Sequence, residues 1–207
     1  MTKTTNKFLI IGGVILLSVA LLVVNKLSKS HKILTSSNEG IISQANRLIG
    51  SPKVVFLFGG LKYANPDWMF SQLSEDVLKN YTFVVIPYSM SIQKAYNFYK
   101  AGSGKSLEYK DMIVIGYSAG GKRVQEGYSS DFRLVGLIDP STDSNLSSKK
   151  YGKNTIMIYN PDNWTGLQSV ARQFPTLKES IVSSGGEAKR VDLSHKEFVK
   201  HFFEKYI

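Results

Sequence analysis

The chain contains no cysteine, which excludes disulfide cross-links, thiolate zinc sites and a cysteine nucleophile together. Histidine is scarce as well: His31, His195 and His201 are the only three. No acidic residue occurs in the first 32 positions, where Lys3, Lys7, Lys26, Lys29 and Lys32 stand. Those five lysines supply half of the formal net charge of +10, since 21 basic residues face 16 acidic ones over the rest. The remaining lysines form no basic stripe, and no RNA-type aromatic motif accompanies them. The charge therefore argues for anionic lipid surfaces and against nucleic acid as a partner. Internal repeats and long low-complexity tracts are absent too.

One long hydrophobic run is present. Residues 8–24 (FLIIGGVILLSVALLVV) carry no charge and are bracketed by the lysines just named. The run reaches the lower end of the roughly 17 to 25 residues that cross a bilayer and exceeds the 7 to 15 residue core of a cleavable signal peptide. Apolar residues continue past a possible cleavage point after Ala20, so the expectation is an uncleaved, single-pass signal-anchor. The lysines nearly balance across it, which leaves the facing compartment open. The predicted organisation is an anchor at 1–32, a polar linker at 33–52 with a short helix at 41–48, and one domain at 53–207. A chain of 207 residues, 43% of them hydrophobic, suffices for one such buried domain. Sequons at Asn80, Asn145 and Asn163 read as chance occurrences in a chain rich in Asn and Ser.

Within the domain, strand-like runs at 53–58, 81–87, 112–116, 134–138, 155–159 and 188–193 alternate with helical stretches at 68–78, 92–99, 120–127, 167–183 and 196–206. The runs before position 188 are largely continuous in apolar residues, which suits strands buried on both faces. The prediction is an α/β fold with a mainly parallel six-stranded sheet flanked by helices. Ligands in such folds bind beyond the carboxyl ends of the strands.

Gly116-Tyr117-Ser118-Ala119-Gly120 ends the third run and opens a helix. This is the G-x-S-x-G arrangement in its required strand-turn-helix setting, where small neighbours leave room for an exposed serine hydroxyl. The bland alternative is that Ser118 merely caps the helix. Gly102-Ser103-Gly104-Lys105-Ser106 looks like the end of a phosphate-binding loop, but Tyr99 stands where that motif needs its first glycine, so a loop is expected.

On the elbow and the order of elements, residues 53–207 resemble the α/β-hydrolase superfamily, in particular its small, lidless esterase and cutinase-like members. The resemblance implies an acid and a histidine downstream of Ser118, in that order. His195, just past the last run, stands where the family places its base, ahead of His201 inside the final helix. For the acid, Asp162 follows the strand that usually carries it and is the first choice. Asp139 follows the strand that carries it in a minority of members. The oxyanion hole is expected from the backbone N–H of Ala119 with one from Gly60 or Leu61, although Phe58-Gly59 replaces the His-Gly found in many members.

The interval 140–153, where a cap is commonly inserted, is too short for one. An open cleft is therefore expected, shaped by residues 61–67 and by the stretch holding Trp164. The implied function is a membrane-anchored serine hydrolase cleaving an ester, thioester or related acyl bond of a small-molecule or lipid substrate, with no cofactor and no metal. Its rivals are a catalytically silent binding domain of the same fold and a carbohydrate- or protein-binding module with Tyr63, Trp68 and Trp164 as its aromatic platform. Oligomeric state is left open.

Overall fold

The computed structural model describes residues 31–36, 42–47, 53–61 and 66–207. Among them, β1 (His31–Ser36), β2 (Ile42–Arg47), β3 (Val54–Phe58), β4 (Thr82–Ile86), β5 (Met112–Tyr117), β6 (Leu134–Ile138), β7 (Thr155–Tyr159) and β8 (Glu187–Arg190) form one sheet in the order β2-β1-β4-β3-β5-β6-β7-β8. The last six in sequence run parallel, as expected. The helices are α1 (Pro66–Ser71), α2 (Glu75–Asn80), α3 (Ile92–Ser103), α4 (Ala119–Glu126), α5 (Ser144–Ser147), α6 (Gln168–Ala171), α7 (Phe174–Val182) and α8 (Phe198–Tyr206).

The continuous apolar runs follow from burial on both faces of the sheet. Val54, Phe56 and Phe58 of β3 enter one layer with Ile92 and Tyr99 of α3, Val124 of α4 and Leu177 of α7. Val55 and Leu57 enter the other with Met69 of α1, Val77 of α2 and Phe198, Phe202 and Phe203 of α8. Side chains alternate across a strand, so both parities must be apolar where helices cover both faces. β8 is the exception: Glu187, Lys189 and Arg190 are exposed, a charged edge strand of the kind that resists further pairing.

Several boundaries differ from the sequence reading. The segment expected as a linker with a helix at 41–48 holds β1 and β2 instead. β1 lies parallel to β4, with Ile33 opposite Phe83, and β2 lies antiparallel to β1. The outer edge of β4 otherwise presents a row of unpaired N–H and C=O groups. Filling it outweighs the weak helical preference of a segment containing Ile42, Ser43 and Asn46. The helix expected at 68–78 is two helices because Ser74 caps a new one, accepting from Val77 N–H with Glu75 and Asp76 in the first turn. The helix expected at 167–183 breaks before Pro175, which sits in the first turn of α7 where its missing N–H costs nothing. Gly104, from the rejected phosphate-loop motif, is the left-handed residue that ends α3 (φ 68°). Residues 1–30 of the expected anchor, its apolar run included, lie outside the described residues, while His31 and Lys32, counted with the anchor, belong to β1; among the described residues no helix is long and apolar enough to cross a membrane.

Candidate active site

Strand β5 passes into α4 through Ser118 alone, and that abruptness dictates its backbone. Ser118 has φ 54° and ψ −120°, a strained conformation for a residue with a side chain, and its hydroxyl makes no capping bond to the helix. The capping reading of this serine therefore fails. The elbow's glycines are required by contact: a Cβ on Gly116 would lie 2.6 Å from the Gly120 carbonyl oxygen, and one on Gly120 would lie 2.3 Å from that of Phe58. Gly60 is equally confined, since a Cβ there would lie 2.9 Å from the Cβ of Ser118.

Ser118 and His195 line one cavity of about 390 Å³, with Leu61, Ala119, Ser141, Asn163, Trp164, Gly166 and Leu167. His195 Nδ1 lies 2.6 Å from Asp139 Oδ2. Of the two candidate acids, Asp139, the second choice from sequence, is therefore the one that meets His195. Asp162, the first choice from sequence, sits in a short 3₁₀ turn (Pro161–Trp164), its side chain 69% exposed and paired with Arg190 at 2.8 Å. Asn160 forces this outcome: its side-chain oxygen accepts from Asp162 N–H and caps the turn. Asp139 is wholly buried, with φ 40° directly before Pro140. Both of its carboxylate oxygens are occupied: Oδ1 accepts from Asn160 N–H at 2.9 Å, and Oδ2 accepts from Asn163 Nδ2 at 2.9 Å besides facing His195. A buried carboxyl without such hydrogen-bond partners would carry the full cost of its desolvation.

Asn163 is a residue that the sequence reading missed except as a sequon. Its amide donates to Asp139 Oδ2 and to the Leu193 carbonyl, so it cannot carry a glycan without surrendering those contacts. An Asp-Pro at one strand end and Pro-Asp-Asn after the next contain the relevant residue types, but no local pattern says that they meet. His201 lies elsewhere, in a separate groove with Trp68, Gln72, Lys200 and Glu204. Trp68 is half-buried against Tyr117 and Trp164 is buried, so neither forms an exposed platform; Tyr63 lies outside the described residues.

The expected oxyanion donors are also at hand. Ala119 opens α4, where backbone N–H groups lack helical acceptors. Gly59 N–H is committed to the Ile86 carbonyl at 2.9 Å, whereas among the described residues Gly60, Leu61 and Ala119 donate no backbone hydrogen bond. The interval after Asp139 contains only the four-residue α5, and Ser141 from that interval forms part of the cavity wall.

A buried polar cluster fixes that interval to α4. Gln125 Nε2 donates to the Gly121 and Ser141 carbonyls, and its Oε1 accepts from Thr142 Oγ1 at 2.7 Å. Ser141 N–H in turn donates to the Ser118 carbonyl at 2.8 Å. Burial raises the Tyr151 phenol well above its ordinary value, so it stays neutral and donates to the Leu146 carbonyl. Gln125→Leu leaves several of these groups without partners. It is expected to lower unfolding free energy by about 1–3 kcal/mol in urea titrations. Stability equal to wild type would show that the cluster is not cooperative.

No family model matches the chain, and no curated protein matches it significantly. Solved structures similar to it include the esterase domain of a Rhodothermus marinus protein, with a TM-score of 0.53 at 11% identity over 82% of this chain and 92% of that one. Esterase PE8 gives 0.49 at 12% identity over 76% and 94%, and SOBER1 of Arabidopsis thaliana gives 0.47 at 13% identity over 73% and 96%. The first of these likenesses, covering most of both chains, joins the parallel sheet and its strand-turn-helix elbow in one conclusion: the chain has an α/β-hydrolase-like fold.

Proposed function

We propose that this protein is a serine hydrolase that cleaves an ester, thioester or related acyl bond, held at a membrane by residues 8–24. The observation that carries the reading is the buried Asp139 behind Nδ1 of His195, a histidine that lines one cavity with the strained Ser118. Ser118 Oγ attacks the acyl carbonyl while His195 Nε2 takes the hydroxyl proton. Asp139 holds the other ring N–H, selects the tautomer and stabilises the imidazolium. The N–H groups of Ala119 and of Gly60 or Leu61 receive the oxyanion. The imidazolium then protonates the leaving oxygen or sulfur as its bond to the acyl carbon breaks. Water attacks the acyl-serine, passes its proton to His195, and releases the acid as Ser118 regains its hydrogen.

The substrate's acyl part is apolar and uncharged, because among the described residues no Asp, Glu, Lys or Arg lines the cavity. Leu61 and Leu167 at its rim are 64% and 56% exposed. Each methylene taken from water contributes about 0.8 kcal/mol, so kcat/KM is expected to rise by up to about fourfold per methylene from acetyl esters upward.

The test is reaction of the full-length chain with a serine-directed phosphonate, followed by mapping of the adduct and a series of nitrophenyl esters of increasing chain length. The expected adduct is on Ser118, in protein that sediments with membranes. Absence of labelling under conditions that label a control esterase would return the site to the binding-domain reading.

A further inference from the structure

The position between the elbow's first glycine and its serine is unconstrained in the motif, yet in this chain Tyr117 occupies it with several contacts at once. Tyr117 is wholly buried. Its hydroxyl donates to the His195 carbonyl at 3.0 Å. Its ring lies against the imidazole of the same residue, with centroids 4.7 Å apart and planes at 32°. Trp164 meets that imidazole edge-on at 5.6 Å and 85°, while Trp68 backs the tyrosine ring at 5.8 Å.

His195 needs such support because residues 191–197 between β8 and α8 belong to no regular element. Side chains take over the work of a backbone ladder. Asn160 and Asn163 both donate to the Leu193 carbonyl. Glu197 accepts from the hydroxyl and the N–H of Ser194, which hold its carboxyl below the ordinary value. The asparagines tie this loop to the turn after β7, and Glu197 ties it to itself. The Tyr117 hydroxyl ties it to β5, one residue from Ser118.

We infer that Tyr117 is a positioning residue that sets the distance and orientation of the His195 imidazole relative to Ser118. The inference rests on the serine-hydrolase reading of this site. One rigid side chain, on the residue adjacent to the nucleophile, grips both the backbone and the ring of the base. A displacement of either partner is thereby transmitted to the other, and misplacement of about 1 Å is enough to cost on the order of 100-fold in rate.

Tyr117→Phe keeps the ring and removes the hydrogen bond. Expected are a roughly tenfold fall in kcat and in the phosphonate labelling rate, within the range that misplacement produces, KM near wild type, and a urea midpoint lowered only by the loss of one hydrogen bond. Tyr117→Leu, which also removes the ring face, is expected to label more slowly again. Rates are expressed per folded site by titration with the phosphonate to completion, so that a merely structural loss, which reduces the number of sites, leaves the rate per site intact. A Tyr117→Phe protein with wild-type kcat and labelling rate per site would overturn the inference. So would a loss confined to KM or to the amount of folded protein. If the wild-type chain neither labels nor hydrolyses any ester, the serine-hydrolase reading itself has failed and the inference falls with it; a wild type that labels beside an unaffected Tyr117→Phe removes the inference alone.

Discussion

Asp139→Asn is expected to lower kcat by about 10⁴-fold with little change in fold, whereas Asp162→Asn should stay within about twofold of wild type. An asparagine at 139 can still accept from Asn160 N–H, but its amide carries no charge and can present N–H groups to His195 Nδ1. That stabilises the tautomer with the proton on Nε2, the nitrogen that must be free to accept the proton of Ser118. It also removes the charge that balances the imidazolium in a site where Asp139 is fully buried. Asp162 faces solvent in a pair with Arg190, both partners more than half exposed, and such pairs contribute little. Steady-state kinetics on the two variants give the ranking. The reverse order, or equal losses, would remove Asp139 from the role of acid.

Gly120→Ala is expected to cost at least about 2 kcal/mol of stability and to slow phosphonate labelling by more than tenfold. Helix propensity alone points the other way, since alanine is better than glycine within a helix by about 1 kcal/mol. Geometry decides against propensity here. The added Cβ would lie 2.3 Å from the carbonyl oxygen of Phe58 and 2.6 Å from that of Gly59, both backbone atoms with no rotamer to change. Relief requires moving α4 away from the end of β3, which carries Gly60 and Leu61 away from Ser118. Denaturant unfolding and labelling rate measure the two consequences separately. A variant as stable as wild type and labelled at the same rate would show that β3 and α4 do not approach this closely.

Local pattern determined much of this protein. Continuous apolar runs marked β3 to β7, because burial on both faces leaves an imprint on consecutive residues; the charged edge strand β8 carries no such imprint. Gly116 and Gly120 marked the elbow, because a close approach between neighbouring backbones admits no Cβ. That His195 shares a cavity with Ser118 was legible from its place after the last run, whereas the loop expected at 102–106 begins only at Gly104, after the helix α3 has run on through Ser103. Which of the two aspartates meets His195 was not legible in the same way. Asp139 and Asp162 both follow a strand and both neighbour a proline; what separates them is the direction of each side chain. Asn160 caps a turn that sends Asp162 out to Arg190, while Asp139, at φ 40°, turns inward to meet a histidine 56 residues away. The pairing of β1 with β4, the dual use of Asn163 and the grip of Tyr117 on His195 are of the same kind. Each joins residues far apart in the chain, and its free energy depends on burial that exists only once the sheet and its helices have packed.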